Sequence, residues 1–263
     1  MYYLRQIQDT FNIRILYACE SGSRAWGFAS EDSDYDARFV YVMDLDSHIA
    51  QGIQKDRDVI DKEDIEFPYP YDINGWELSK FLTSMHKGNA IPLEWLKSPL
   101  VYFAQPVVAD LKLLAEGCFN PSALLYHYGH SATKNRRQFL EGDSVSYKKY
   151  LYVIRPVMAM LWIVNYKTFP PINIDELFRG LDRFIVPQIQ NHIYALIKEK
   201  RSGNEMLVGP PISIINDWID THLDILYPKW IAAKYEMVQA DSTLVRNLYS
   251  TIVKKYAPER TYD

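Results

Sequence analysis

The hydrophobic pattern of the first third of the chain alternates between strand-like and helical segments. Residues 13–19 form a compact apolar run that ends in Glu20-Ser21-Gly22-Ser23. This pattern predicts a strand that enters a tight turn. Residues 37–42 predict a second strand of the same kind. Between the two strands lies a polar segment rich in Asp and Ser, which carries the candidate chemistry.

Shorter apolar runs follow at residues 58–60, 65–67 and 71–73 and predict further strand segments. The last of these is expected to be irregular or to lie at a sheet edge, because Pro68 and Pro70 precede it. The sheet in this part of the chain is therefore expected to be small and mixed.

Helical periodicity begins at Trp76, runs to Met85 and ends at Gly88-Asn89. After about residue 106, long amphipathic helical patterns replace the strand signals. They cover residues 121–140, 146–162, 174–181, 186–200, 212–226 and 244–256. The pattern predicts an α+β protein, with a small mixed-sheet domain at residues 1–105 followed by an all-α helical domain at residues 106–263.

Composition and charge narrow the class of protein. The chain has 263 residues, of which 48% are hydrophobic and 24% charged, as in ordinary soluble globular proteins. The net charge of −4 excludes a generally basic nucleic-acid coat, although local basic patches stay compatible with it. Cys19 and Cys118 are not in a paired spacing, which indicates free thiols in a reducing compartment. The start of the chain lacks the apolar core of a signal peptide, and no apolar run approaches the roughly 20 residues that span a bilayer. We therefore expect a cytoplasmic protein without a membrane segment.

The candidate chemistry begins with the acidic pair Asp34 and Asp36. Residues two apart on a strand point to the same side, so the two carboxylates are expected to project together from the start of the second strand. Two like charges that close repel each other unless a cation lies between them. Mg²⁺ prefers carboxylate oxygens and also binds substrate phosphates. The pair therefore predicts a Mg²⁺ (or Mn²⁺) site.

The Gly22-Ser23 turn supplies a candidate phosphate site about a dozen residues earlier. A strand that turns into a helix at this point presents free backbone N–H groups to an anion. Gly22 allows close approach of the backbone, and the Ser23 hydroxyl can donate to a phosphate oxygen. Arg24 is also suitably placed for phosphate. Together the two sites predict a cradle for a nucleoside triphosphate with its metal.

A third carboxylate is expected at Asp72, which Tyr71 and Ile73 flank in a strand-like pattern. In a two-metal site, one ion lowers the pKa of the attacking hydroxyl and the other stabilises the leaving pyrophosphate. We expect Asp34 and Asp36 to bind both ions, and Asp72 to bind one and help activate the acceptor. Asp64 and Glu66 are the reserve candidates for that third carboxylate.

The Gly-Ser turn followed by Asp-x-Asp resembles the nucleotidyltransferase superfamily that includes DNA polymerase β, poly(A) polymerases and aminoglycoside nucleotidyltransferases. The strings Gly22 to Gly27 and Ser33 to Arg38 resemble a narrower group, the predicted nucleotidyltransferases of bacteria and phages that are often encoded near RNA ligases. Later segments fit that group as well, so that the likeness covers roughly residues 13–175 in scattered blocks. These segments are residues 74–80, 88–89, 94–99, 148–152 and 155–156.

The resemblance implies a metal-dependent enzyme that moves a nucleoside monophosphate from ATP or another NTP to an acceptor hydroxyl and releases pyrophosphate. Association with RNA ligases makes RNA, either a tRNA or a broken RNA end, the first choice of acceptor. The same chemistry on a protein or a small molecule is an open alternative, as is a nucleotide-binding scaffold without catalysis. The sequence does not reveal the oligomeric state.

Basic, aromatic and histidine side chains each have two open interpretations. Lys148, together with Arg137, either lies on a solvated basic face or contacts the triphosphate or an RNA backbone. Arg38 is expected to face away from the metals and to brace the sheet or pair with a carboxylate. His127 and His130 share a helix face without an evident third metal ligand, which favours ordinary surface histidines. Trp26, Tyr35 and Trp76 either pack in the core or stack on a base.

Other chemistries find little support in the sequence. A P-loop requires the pattern G-x-x-x-x-G-K-[ST], and no such string occurs in the chain. A nucleophilic Ser21 or Ser23 would need a histidine nearby, and the first histidine in the chain is His48.

Overall fold

The computed structural model describes residues 2–46, 58–65, 71–203 and 208–259. The protein is α+β, as predicted, and its chain divides into two compact units. The first unit comprises Met1–Ala25, Asp34–Cys118 and Val238–Asp263, and the second comprises Trp26–Ser33 and Phe119–Met237. Both units are thus discontinuous in sequence, whereas the predicted domains meet at a single boundary after residue 105. The domain boundary after residue 105 stays a prediction.

The first unit carries the larger sheet and the helices that pack on it. A ten-residue helix begins at Tyr2. The strand at 13–20, which the apolar run predicts, follows it directly. The elements in chain order are α1 (Tyr2–Phe11), β1 (Ile13–Glu20), α2 (Gly22–Trp26), β2 (Tyr35–Met43), β3 (Val59–Asp61), β4 (Tyr71–Glu77), α3 (Leu78–His86), α4 (Ala90–Leu96), β5 (Val101–Ala104), α5 (Val108–Glu116) and, at the end of the chain, α12 (Ser242–Tyr256).

The five strands form one mixed sheet in the order β3-β4-β2-β1-β5. β2 and β4 run parallel, and the other neighbouring strands pair antiparallel. The buried side chains Ile7, Ile15, Phe39 and Tyr41 belong to a hydrophobic core cluster between α1 and one face of this sheet. The parallel pairing matters for function, because it brings the beginnings of β2 and β4 to the same edge of the sheet.

The second unit is mostly helical. Its longest helices span residues 121–139 and 147–166. A short two-stranded ladder pairs Val145 with Gly209. The elements are α6 (Pro121–Phe139), β6 (Val145–Ser146), α7 (Tyr147–Tyr166), α8 (Ile174–Gly180), a 3₁₀ turn (Asp182–Phe184), α9 (Pro187–Arg201), β7 (Val208–Gly209), α10 (Ser213–Asp220), a π-helical segment (Thr221–Leu226) and α11 (Tyr227–Ala232).

Polar residues tie the segment 26–33 to the rest of the second unit. The buried Lys200 ammonium group donates to Ser30 Oγ at 3.0 Å and to Ser33 Oγ at 3.3 Å. The Arg155 guanidinium lies 4.5 Å from the centre of the Trp26 ring. These contacts place Trp26 in packing, so the core interpretation of this tryptophan is the one the structure supports.

Two strand and helix predictions need correction. Trp76 was expected to begin a helix, but it lies in β4, and the helix begins at Leu78. The side chain of Glu77 caps this helix by accepting a hydrogen bond from Ser79 N, which fixes the starting point. Residues 71–73 continue regularly into β4 and pair with β2, while β3 pairs with residues 74–76. The expected segment at 65–67 lies largely outside the described residues.

The structure describes both cysteines and the apolar helices. Cys19 and Cys118 are both free and buried. In the described part of the chain, no helix is long and apolar enough to cross a membrane.

Gly75 in β4 provides a test of the sheet packing. A Cβ atom at this position would lie 2.1 Å from Cε2 of the buried Phe39, its register partner on β2. We expect Gly75→Ala to lower the free energy of unfolding by about 1–3 kcal/mol, because the ring cannot move without disturbing the core. Urea denaturation measures the change. Combining it with Phe39→Leu should recover part of the loss, and strictly additive effects would contradict this explanation.

Candidate active site

Asp36 and Asp72 lie side by side at the edge where β2 and β4 begin. They are register partners of the parallel strand pair, so no connecting loop has to bring them together. Arg38 bridges them: its Nη2 atom lies 3.1 Å from Asp36 Oδ1 and 3.0 Å from Asp72 Oδ2. Its Nη1 atom also donates to the carbonyl oxygen of Asp72 at 2.9 Å. The structure thus brings the side chains of Asp36 and Asp72 together, and their assignment to a metal site stays a prediction.

The orientation predicted for Arg38 is wrong in one respect. It was expected to face away from the metal-binding side, yet it contacts both carboxylates of that side. The reason lies in the strand period, because Arg38 follows Asp36 by two residues and therefore points to the same face. Pairing with a carboxylate, the other part of the expectation, is confirmed. The guanidinium partly neutralises two acids that would otherwise repel each other.

Gly22 fits closely against Asp36. Ser21 N donates to the carbonyl oxygen of Asp36 at 2.9 Å, which fastens the turn after β1 to the start of β2. Gly22 has φ +56°, and a Cβ atom on it would lie 1.9 Å from Asp36 Oδ2. Only glycine therefore fits between the turn and the carboxylate. Ser23 is buried at the start of α2, a helix of five residues. Binding of phosphate by Gly22 and Ser23 stays a prediction.

Glu20 is a site residue that the sequence analysis did not single out. Its side chain is fully buried at the end of β1. Its Oε1 atom accepts a hydrogen bond from the backbone N–H of Asp36 at 2.7 Å, and its Oε2 atom accepts one from the Tyr102 hydroxyl. Ser98 donates to its carbonyl oxygen at 2.6 Å. A buried charge needs such partners, and here they fix the backbone that carries Asp36.

The surroundings of Asp36 disfavour its ionised form. Burial raises the pKa of the Asp36 carboxyl to about 6, and the neighbouring Asp72 and Glu20 carboxylates add to this effect, while Arg38 opposes it. A carboxylate pair of this kind binds a cation more readily than a lone surface acid, because the cation relieves the repulsion.

Asp34 and Arg24 contact each other just before β2 begins. Asp34 directly precedes β2 and is exposed, so it is not itself on the strand from which it was expected to project. Arg24 Nε donates to the carbonyl oxygen of Asp34 at 3.3 Å, and the Arg24 guanidinium lies 4.0 Å from the centre of the Tyr35 ring. The positive charge predicted for phosphate thus stands next to the acidic motif.

The other residues that the sequence analysis names have surroundings of their own. Asp64 Oδ2 accepts a hydrogen bond from Asp61 N at 2.8 Å and so closes a turn, while Glu66 lies outside the described residues. His127 packs its ring edge against Tyr128 and His130 is exposed. Lys148 is on α7 in the second unit, half-buried. Its predicted contact with triphosphate stays a prediction.

The donor set around Asp36 suits Mg²⁺ better than a metal that requires a complete protein cage. Within the described ranges, no group of three or more His, Cys, Asp or Glu side chains is arranged to hold a metal ion. Mg²⁺ is commonly bound through one or two carboxylates together with substrate phosphates and water. Asp36 and Asp72 fit that mode of binding, and the pKa of Asp36 is raised mainly by burial and further by the neighbouring Asp72.

The bond between Tyr102 and Glu20 can be tested by removing one hydroxyl. We expect Tyr102→Phe to lower the free energy of unfolding by about 1–3 kcal/mol, because it leaves a buried carboxylate with one donor fewer. Chemical denaturation measures this change. Tyr194→Phe, which removes a hydroxyl from a tyrosine that is 61% exposed, is the matched control and should be nearly neutral. Equal stability of the two variants would contradict the proposed function of Tyr102 as a support for Glu20.

Comparison with known proteins identifies the family of the chain. A family model described as the RNA repair pathway DNA polymerase beta family matches residues 1–248. The uncharacterized protein YcgL of Bacillus subtilis (strain 168) is 37% identical over 250 residues, which cover 95% of this chain and 94% of that protein. A crystal structure of a nucleotidyltransferase-like protein from Exiguobacterium sibiricum 255-15 matches with 11% identity over 95% of this chain and 90% of that chain. Its TM-score of 0.28 is too low to carry an argument.

The family match spans nearly the whole chain and includes the residues that form the carboxylate pair. The resemblance drawn from the Gly-Ser turn and the Asp-x-Asp motif is therefore confirmed. The chain belongs to the RNA repair pathway DNA polymerase beta family, and through it to the nucleotidyltransferase superfamily.

Proposed function

We propose that the protein is a Mg²⁺-dependent nucleotidyltransferase that adds a nucleoside monophosphate to a hydroxyl group of RNA. The observation that carries the proposal is the pairing of Asp36 with Asp72 across parallel strands, close against Gly22, in a chain of this family. Phosphoryl and nucleotidyl transfer depend mainly on positioning and on neutralising charge. Such an arrangement of acids and glycine meets both needs.

Asp36 and Asp72 are the residues that would hold Mg²⁺ (or Mn²⁺), with Asp34 beside them. When bound, the ion neutralises the triphosphate and makes the acceptor hydroxyl more acidic. The carboxylate of Asp72, which is 46% exposed, is accessible enough to take the proton of that hydroxyl. The acceptor oxygen then bonds to the α-phosphorus, and the bond from that phosphorus to the bridging oxygen breaks. Pyrophosphate leaves with the bonding electrons.

Other residues of the chain orient the substrate. Gly22 and Ser23 are proposed to contact the phosphates, and the Arg24 guanidinium adds a positive charge beside the backbone of Asp34. Arg38 holds the two carboxylates in register and limits their repulsion before substrate binds. Glu20 fixes the backbone of Asp36, so that its carboxylate keeps its position during the reaction.

RNA is the proposed acceptor because the family is described as part of an RNA repair pathway. An RNA end offers a free hydroxyl, and a nucleoside monophosphate added there would extend or restore the strand. The negative net charge of the chain means that RNA binding would depend on local basic residues rather than on the whole surface.

Lys148 is proposed to contact the triphosphate. We expect Lys148→Ala to weaken triphosphate affinity by about tenfold, since a hydrogen-bonded contact with phosphate would be lost. Equilibrium binding of a labelled NTP measures the change. Lys198→Ala removes an exposed lysine from α9 of the same unit and is the control. Unchanged affinity and turnover in Lys148→Ala would exclude Lys148 from the site.

The function is tested by incubating the protein with each α-³²P-labelled nucleoside triphosphate, Mg²⁺ or Mn²⁺, and total cellular RNA. We expect label to enter RNA, with release of pyrophosphate, and to be absent when EDTA is present. Label in protein or in a small molecule would keep the chemistry and contradict the RNA acceptor. No transfer, combined with no metal-dependent nucleotide binding, would contradict the enzyme proposal and favour a scaffold.

A further inference from the structure

A cavity lies on the opposite face of the sheet from the carboxylate pair. Its volume is about 380 Å³, within the range of roughly 300–1,000 Å³ that is typical of small-molecule sites. α1 forms one wall, and the beginnings of β2 and β4 form another. Its lining is mainly aromatic and apolar, and includes Tyr3, Tyr35, Ala37, Tyr71, Ile73 and Tyr102.

Strand register ties this cavity to the active site. Tyr35 pairs with Tyr71, and the next register pair along the same strands is Asp36 with Asp72. Successive side chains on a strand point to opposite faces, so the tyrosines line the cavity while the carboxylates face the other side. Consecutive Cα atoms are about 3.8 Å apart. The cavity and the carboxylate pair therefore lie on opposite faces of the same sheet edge, one residue apart along each strand.

The tyrosine rings are arranged for contact with a planar ligand. Tyr3 and Tyr71 have ring centroids 5.3 Å apart, and Tyr35 lies edge-on to Tyr71 at 6.0 Å. Tyr35 is 47% exposed and Tyr102 is 41% exposed, so part of each side chain is accessible to a ligand. Exposed aromatic surface of this kind can stack on a base of any sequence.

Charge at the rim favours a ligand that also carries a phosphate. The Arg24 guanidinium lies 4.0 Å from the centre of the Tyr35 ring and so places a positive charge beside the aromatic lining. The hydroxyl of Tyr102 binds Glu20, and the same Glu20 carboxylate accepts the N–H of Asp36. A ligand that packs against Tyr102 is therefore linked through one buried side chain to the backbone of the carboxylate pair.

We propose that this cavity binds a nucleobase whose sugar and phosphate reach around the sheet edge to Asp36 and Asp72. An aromatic ring joined to an anion matches both the tyrosine lining and the Arg24 charge. The base belongs either to the nucleoside triphosphate or to the terminal residue of the RNA acceptor. The inference rests on the proposed function for the choice of a nucleotide ligand, but binding in the cavity does not require the transfer reaction.

The test uses 2-aminopurine, a base whose fluorescence falls when it stacks on an aromatic ring. Two probes are titrated separately with the full chain in EDTA: 2-aminopurine riboside triphosphate, and a short single-stranded RNA that ends in 2-aminopurine. We expect quenching with at least one probe, and the probe that responds identifies the source of the base. Because EDTA removes the metal, a failure of nucleotide transfer would leave this result intact.

Two variants and one control locate the binding. Tyr3→Leu removes one ring from α1, and Leu4→Trp fills the cavity from the same helix, so neither alters the strands that carry the carboxylates. We expect each folded variant to raise the apparent Kd by about tenfold. Tyr194→Leu, at an exposed tyrosine of the second unit, should bind as the wild type does. Quenching by neither probe would overturn the proposal, and so would wild-type affinity in the cavity variants.

Discussion

Asp36→Asn should reduce nucleotide transfer by at least about a thousandfold while the protein remains folded. The substitution keeps the shape of the side chain and removes the charge that would hold the metal ion. Removal of a single group that stabilises transition-state charge commonly costs on the order of 10²–10³ in turnover, and loss of a metal ligand is at the upper end of that range. Turnover is measured with α-³²P-labelled triphosphate at saturating Mg²⁺.

The stability of Asp36→Asn should change much less than its activity. The Asp36 carboxyl is buried and faces Asp72 and Glu20, and these surroundings raise its pKa to about 6. Asparagine removes this repulsion, although it also weakens the contact with Arg38. We therefore expect a free energy of unfolding close to that of the wild type. Such a combination of lost activity and kept stability marks a residue retained for function.

Asp110→Asn is the matched control for this variant. Asp110 is an exposed aspartate in the first turn of α5, in the same unit and away from the carboxylate pair. It should transfer nucleotide at the wild-type rate. Substantial activity in Asp36→Asn, or an equal loss in Asp110→Asn, would contradict the assignment of Asp36 as a catalytic ligand.

Gly22→Ala is the second substitution with a large expected effect. The added Cβ atom would lie 1.9 Å from Asp36 Oδ2, so either the turn or the carboxylate must move. A displacement of about 1 Å in a catalytic group can cost on the order of 10²-fold in rate. The φ of +56° adds a backbone cost of about 1–2 kcal/mol for any side chain. We expect at least a hundredfold loss of transfer and a measurable loss of stability.

Gly142→Ala separates the two causes. Gly142 also has a positive φ, of +105°, but an added Cβ atom there would meet nothing within 4 Å. This control should lose stability through backbone strain and keep its transfer activity. If Gly22→Ala lost stability to a similar degree yet retained full activity, the close fit between Gly22 and Asp36 would have no catalytic importance.

Local patterns in the sequence were sufficient for much of the fold. The apolar run at 13–19 corresponds to β1, and the amphipathic periods after residue 121 correspond to helices of the second unit and to α12 of the first. β5 is different: Val101, Tyr102 and Ala104 are exposed, so they present no alternation to detect. The helices α4 and α5 are short, so their sequences likewise contain no long amphipathic period that would predict them. Trp76 continues a strand because β3 and β2 pair on both sides of β4, a tertiary effect that outweighs helical spacing.

The candidate site was predictable in its residue types but not in its connections. Asp36 and Asp72 were named from the motif and from the flanking apolar residues, whereas their pairing depends on a parallel register between distant strands. Arg38 could have been placed correctly from the strand period alone. Glu20 offered one signal, a carboxylate at the end of an apolar strand just before the Gly-Ser turn, but its burial by Tyr102 arises from contacts between distant residues.

The central claim is that Asp36 and Asp72 together bind the divalent ion that accompanies the nucleotide. The most direct measurement is Mn²⁺ binding, monitored by electron paramagnetic resonance. It is made in the presence of a triphosphate whose α,β-bridging oxygen is replaced by a methylene group. We predict that the wild-type protein with this nucleotide binds Mn²⁺ and so lowers the signal of free Mn²⁺. Asp36→Asn and Asp72→Asn should largely abolish this binding. Equal Mn²⁺ binding by the wild type and both folded variants would contradict the account.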